Sequence, residues 1–129
     1  MTPEEMQGRF KQYALRVIRL VGKLPKGPAA EVIGRQLVKA ATSAAANYRA
    51  ACIARSRADF IHKMSIVEEE TDESTFWVDL AADAKIIRRP LIDGLLQEGQ
   101  ELLAIVVSSK KTAKARQAKA QSARRKQTQ

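Results

Sequence analysis

The sequence is poor in most of what builds extracellular, membrane and catalytic proteins. It has one cysteine, Cys52, so an internal disulfide is impossible, and a lone thiol agrees with a reducing compartment. It has one histidine, His62, whereas the carboxylate metal sites of helical bundles use a Glu-x-x-His pair from each of two helices. The start, Met1-Thr2-Pro3-Glu4-Glu5, has no basic stretch leading into an apolar one and so no sign of a secretory leader. No apolar run approaches the ~20 residues that span a bilayer, and a cytoplasmic location is the expectation that remains. Aromatic residues make up 5% of the chain and no run alternates like a half-buried strand, so a sheet is not expected. No catalytic motif stands out. The expectation is a protein that is not an enzyme, with no catalytic residue, no metal and no cofactor.

What is present favours helices. The 129 residues suit a single domain, with enough chain to bury a core. Ala, Leu, Lys, Arg, Glu and Gln are plentiful, and all are good helix formers. The first helix is expected over about residues 3–24, where Phe10, Ala14, Val17, Ile18, Val21 and Leu24 share a face; Tyr13 and Leu20 widen it. Thr2, Pro3 and Glu5 supply a cap, a first-turn proline and a first-turn carboxylate. Leu24-Pro25-Lys26-Gly27-Pro28 ends it. A second helix follows over about 29–55, with Ile33, Leu37, Ala41, Ala44, Tyr48 and Cys52 on one face. Its alanines allow a neighbour to approach closely. Ser56 is placed to cap a third helix, with Asp59 at the acidic position of a capping box. This helix is expected to reach about Arg89 before Pro90, burying Phe60, Met64, Val67, Thr71, Ser74, Val78 and Ala81. A fourth, about 91–108, uses Ile92, Leu95, Leu96, Leu102, Leu103 and Val106. Short links between long helices predict an all-α, antiparallel up-down four-helix bundle over residues 1–109, followed by a tail over 110–129 that is solvated or a frayed helix.

The net charge of +9 is unevenly placed. The tail holds eight Lys or Arg and no acid, leaving fifteen basic and fourteen acidic residues in the body. Residues 35–63 carry six cations against Asp59 alone, and residues 64–101 carry ten acids against Lys85, Arg88 and Arg89. Two readings fit the corner formed by Arg49, Arg55, Arg57 and Lys63. It contacts phosphates, or it covers helix ends and pairs with Asp59 or a neighbour's carboxylates. Lys110, Lys111, Lys114, Arg116, Lys119, Arg124, Arg125 and Lys126 either follow a nucleic-acid backbone without sequence preference or only solubilise the chain. The tail lacks the Trp, Phe and Leu of a membrane-surface helix, so membrane binding is not expected.

The other unusual residues read best as structure. The carboxylates of Glu68-Glu69-Glu70-Thr71-Asp72-Glu73 are spread around a helix and do not converge on a metal. Cys52 and His62 lie on different predicted helices with no orienting third group, so Cys52 reads as core rather than nucleophile. Ser43 and Asn47, four apart, suit hydrogen bonds across helices that fix register. Phe76 and Trp77 suit core or interface anchors.

One segment carries more than composition. The run Gln36-Leu37, Ala40-Ala41-Thr42-Ser43, Asn47-Tyr48-Arg49-Ala50-Ala51, Arg55-Ser56-Arg57-Ala58-Asp59-Phe60 and Lys63-Met64-Ser65-Ile66 resembles the four-helix bundle proteins encoded in intervening sequences of bacterial 23S ribosomal RNA genes. Leu24-Pro25-Lys26 upstream and Glu70, Glu73, Trp77 and Leu80 downstream fit the same pattern. The resemblance covers about residues 10–103 and excludes the tail. Where the commonest family pattern has an acidic residue and glycine after the asparagine segment, this chain has Ala50, Ala51 and Cys52. The resemblance implies a ring-like homopentamer without enzyme activity. It also implies kinship with the accessory protein of diversity-generating retroelements, a basic pentamer that binds nucleic acid and a reverse transcriptase. The leading expectation is an oligomeric protein that binds RNA, DNA or an RNA–protein complex through its basic surface and tail. The alternative is a protein-interaction scaffold, such as a reverse-transcriptase accessory subunit, that binds no nucleic acid.

Overall fold

A computed structural model describes residues 1–128; Gln129, the final residue of the expected tail, lies outside the described residues. Four helices follow one another, α1 (Pro3–Val21), α2 (Pro28–Cys52), α3 (Arg57–Asp83) and α4 (Asp93–Gln127), with one short 3-10 turn at Arg89–Leu91 leading into α4. No strand occurs among the described residues. The arrangement is the antiparallel up-down bundle that the short connections predict. The widest seam is between α2 and α3, with α4 against α3 and α1 against both α2 and α4.

The helix starts are built as the sequence implies. Thr2 Oγ1 accepts the Glu5 amide at 3.1 Å while the Glu5 carboxylate accepts the Thr2 amide at 3.3 Å, a complete capping box with Pro3 in the first turn. Gly27 takes φ 143°, a backbone conformation open to glycine, and so turns the chain into Pro28 and α2. Ser56 Oγ accepts the Asp59 amide at 3.0 Å, but the Asp59 carboxylate turns to Lys63, 2.7 and 2.8 Å from its Nζ.

The helix ends differ from expectation. α2 stops at Cys52 rather than near Arg55, through tight bonds from the Ile53 and Ala54 amides to Ala50 and Ala51. α3 stops at Asp83 rather than near Arg89. Lys85 adopts φ 58°, its amide bonds to Ala82 O, and the Ile86 amide bonds back to Ala81 O. This left-handed closure satisfies the last carbonyls and folds Ile87 inward to 8% exposure. A lysine pays a steric penalty in that conformation that glycine does not. Lys85→Gly is therefore expected to stabilise the fold by up to about 1 kcal/mol, measured by urea unfolding.

α4 differs most. The expected fourth helix covers about residues 91–108 with a solvated or frayed tail after it, whereas α4 continues as one helix to Gln127, roughly 50 Å in all. No glycine or proline interrupts residues 100–127, Ala113 is buried, and Lys110 Nζ lies 3.1 Å from Glu68 of α3.

The core follows the predicted faces closely. Phe10, Tyr13 and Val17 of α1, Leu37, Ala41 and Ala44 of α2, Met64, Val67 and Val78 of α3, and Leu102 and Val106 of α4 are buried. Phe10 stacks on Tyr48 with ring centroids 5.0 Å apart. Ile18, expected in the core, is 47% exposed, because the buried stripe of α1 runs through Met6, Phe10, Tyr13, Val17 and Leu20 instead.

Two buried hydroxyl residues sit in this core, Thr71 and Ser74. Thr71 donates to Val67 O at 2.6 Å and Ser74 to Thr71 O at 2.7 Å. Ser74 thereby uses its single proton, so the Tyr13 hydroxyl is the donor in the 2.8 Å bond between them. Burial pushes the Tyr13 phenol above its ordinary range. Gly99 makes room for the arrangement: a Cβ there would stand 2.7 Å from Thr75 Cγ2 and 2.8 Å from Tyr13 Oη. Gly99→Ala is expected to cost about 1–3 kcal/mol through overpacking, despite alanine's better helix propensity, and thermal unfolding followed by circular dichroism measures it.

Candidate nucleic-acid interface

The bundle has two unlike ends. At one end lie the starts of α1 and α3, the end of α2 and the middle of α4. Their relative register is set by two contacts, Lys110 with Glu68 and Arg57 Nη1 with the Arg116 carbonyl at 3.0 Å. Arg116 thus stands level with the first residue of α3. Residues 118–127 project past the bundle by about 15 Å of helix, carrying Lys119, Arg124, Arg125 and Lys126, all exposed.

Besides those four, the expected basic residues fall into three groups. Arg49 and Arg55 are exposed at and after the end of α2, and Arg57 is exposed at the start of α3. Lys111, Lys114 and Arg116 are exposed on α4 alongside the bundle. None of these six has a carboxylate within 4 Å among the described residues. Lys63 and Lys110, by contrast, are neutralised by Asp59 and Glu68. The Lys63 ammonium, and then the Arg55 backbone, hold the Asp59 carboxyl below the usual carboxylate range. Within the chain, the pairing with Asp59 is made by Lys63, while Arg49, Arg55 and Arg57 have no carboxylate within 4 Å among the described residues.

Two further cationic features lie outside those groups. Lys11 faces Arg49 across a shallow groove of about 520 Å³ between α1 and α2. At the opposite end, Arg16, Arg19 and Lys23 border a cleft of about 190 Å³ floored by Leu20, Ile87 and Leu95. The spacing 16, 19, 23 is helical and visible in the sequence; the apolar floor is not, because it depends on Ile87 turning inward after Lys85.

The acidic residues are used in packing. Arg9 is clamped by Glu98 and Glu101, tying α1 to α4, and the bonds to Glu98 raise its pKa further. Arg89 bridges Asp79 and Asp83, and Glu73 accepts the Trp77 indole N–H at 3.2 Å. No group of three His, Cys, Asp or Glu residues that could hold a metal ion occurs among the described residues. Partial burial, followed by Glu73, raises the Glu70 carboxyl above its ordinary range. A carboxyl whose pKa is raised by folding adds stability while protonated, and that contribution is lost as pH rises through its folded pKa. Glu70→Gln is expected to raise the melting temperature slightly at neutral pH. Melts repeated below about pH 4 should show the difference vanishing.

Cys52 is half-buried beside Tyr48, whose phenol is pushed up by burial and then by the thiol, and His62 is exposed. Asn47 Nδ2 donates to Ser43 O and Oγ at 2.9 and 3.2 Å, a bond within α2 rather than across helices. Phe76 is 56% exposed and meets Trp77 edge-on at 5.0 Å. No helix among the described residues is long and apolar enough to cross a membrane.

Comparison with known proteins agrees with this architecture. Residues 5–108 match the model of the 23S rRNA-intervening sequence protein family. A crystal structure of a protein of unknown function from the S23 ribosomal protein family of Bacteroides thetaiotaomicron is 28% identical. It superposes with a TM-score of 0.79 over 86% of this chain and 99% of its own. No curated protein matches the chain.

Proposed function

The chain belongs to the 23S rRNA-intervening sequence protein family, and from that premise we propose that it is a non-catalytic, oligomeric protein that binds nucleic acid, RNA foremost, through one basic end and the projecting part of α4. The observation that carries this reading is that Arg49, Arg55, Arg57 and Arg116 have no carboxylate within 4 Å among the described residues, that Arg57 bonds to the Arg116 carbonyl, and that α4 carries Lys119, Arg124, Arg125 and Lys126 on beyond that point. Such a surface binds phosphates by releasing their counterions, which needs no base-specific contacts.

Assembly multiplies the effect. In a homopentamer each basic end recurs five times, so contacts that are weak singly act together on one strand. Light scattering on the purified chain tests the stoichiometry. A gel-shift series over increasing salt tests the binding, using the full chain, a chain ending at Gln117 and one ending at Ser109. Binding that weakens steeply with salt and drops at each truncation supports the proposal. No shift at low salt with either RNA or DNA overturns it and leaves a protein-only scaffold as the function. Full binding by the chain ending at Ser109 moves the site onto Arg49, Arg55 and Arg57.

A further inference from the structure

The basic end is more than a charged surface, because it contains a cleft of suitable size and chemistry for one nucleotide. Resting on the nucleic-acid-binding reading, we infer that the cleft between the start of α3 and the middle of α4 holds a single unpaired nucleotide of a bound strand, its phosphate on Arg57 and Arg116 and its base against Phe60.

The cleft measures about 480 Å³ and is lined by both arginines, by Ser109 and Thr112, and by Phe60 and Ala113. That volume is within the range of small-molecule sites. Arg57 is held in place by its bond to the Arg116 carbonyl at 3.0 Å, which occupies one of five N–H donors and leaves four. Arg116 has no carboxylate within 4 Å among the described residues. Two guanidinium groups at one cleft suit a phosphate, because each presents paired donors that match two of its oxygens. Ser109 lines the same cleft, and its hydroxyl can donate to the same group.

The floor supplies the second half of the match. Phe60 is half-buried and lies at the boundary with a neighbouring cleft of about 440 Å³, which shares Phe60 and Ser109 and is lined by Met6, Cys52 and Ile105. A charged compartment therefore meets an apolar one across an aromatic ring. A nucleotide has the same division, an anionic phosphate and a flat base that stacks on aromatic faces. In a duplex the base is already paired and stacked, so only an unpaired residue can enter. Residues 118–127 extend from this point and carry the cations that would meet the next phosphates.

Fluorescence anisotropy with a short labelled oligouridylate and an RNA duplex of equal length tests the assignment. Phe60→Leu keeps an apolar side chain and removes the aromatic face. It is expected to weaken oligouridylate binding about tenfold and leave duplex binding unchanged. Arg57→Gln with Arg116→Gln is expected to reduce the salt slope for oligouridylate by about 1–2, and uridine monophosphate should displace the oligomer at lower concentration than inorganic phosphate. Both variants are first shown to melt like the parent; Arg116→Gln alone, at an exposed position, serves if the double variant does not. Equal binding of oligouridylate by parent and variants, with strands still bound, overturns the cleft assignment alone. Binding of neither strand by the parent overturns the nucleic-acid reading as well.

Discussion

Replacing Lys119, Arg124, Arg125 and Lys126 together by glutamine is expected to weaken RNA binding on the order of a hundredfold at low salt while leaving the melting temperature almost unchanged. These four side chains are exposed on the part of α4 that projects beyond the bundle, so they contribute to binding without contributing to packing. Each phosphate neutralised on a single strand contributes roughly 0.7 to the slope of log affinity against log salt. With Lys110 held by Glu68, the seven other tail cations acting together would give a slope near −5, and removing four would leave about −2. Glutamine keeps helix propensity close to that of lysine and arginine, which separates loss of charge from loss of helix. An unchanged slope would show that the projecting helix is not in contact with the strand. A loss of affinity with lowered helicity would show instead that the charges act on the helix itself.

Phe10→Ala is expected to cost about 3–5 kcal/mol, a large share of the roughly 5–15 kcal/mol that stabilises a domain. Phe10 has no exposed surface and stacks on Tyr48, joining α1 to the end of α2. Removing it leaves a cavity between two helices already fixed by other contacts. Gly34 packs against Val21 and Leu24, and Arg9 ties α1 to Glu98 and Glu101. The site therefore cannot collapse freely, and the cost should fall in the upper part of the range for such substitutions. Urea unfolding followed by helical circular dichroism gives the value. A cost below about 1.5 kcal/mol would mean that Tyr48 and Met6 move in to fill the space. Because Phe10 lies in the core beneath the basic end, the variant also reports whether binding needs that end intact.

Much of the architecture was legible because local chemistry determines it. Thr2 with Pro3 and Glu5, the break at Pro25 to Pro28, and Ser56 before Asp59 each locate a helix boundary through groups a few residues apart. The buried faces of α2 and α3 follow from spacing alone. The misses have a common cause in competition between local and distant contacts. Ile18 is as apolar as Val17, but the buried stripe of α1 runs through Val17 and Leu20 and leaves Ile18 outside it. The end of α3 depends on Lys85 accepting a left-handed backbone so that Ile87 can be buried, a gain that appears only once the other helices form the pocket. The continuation of α4 past Ser108 was open in the sequence, since its residues favour helix but offer little to bury; Ala113 against the bundle and Lys110 on Glu68 support it.

The candidate site shows the same division. That the chain is basic, that its cations concentrate in residues 110–129, and that Arg49, Arg55 and Arg57 cluster between two helices are properties of the sequence alone. Only the tertiary structure decided which of those charges remain available. It gave Lys110 to Glu68 and brought Arg57, Arg116 and Phe60 to one cleft although Arg116 is far from the others in sequence. The physical reason is range. Caps, helical faces and net charge arise from neighbours along the chain, whereas neutralisation of a charge and enclosure of a cleft depend on which helix lies opposite and in what register.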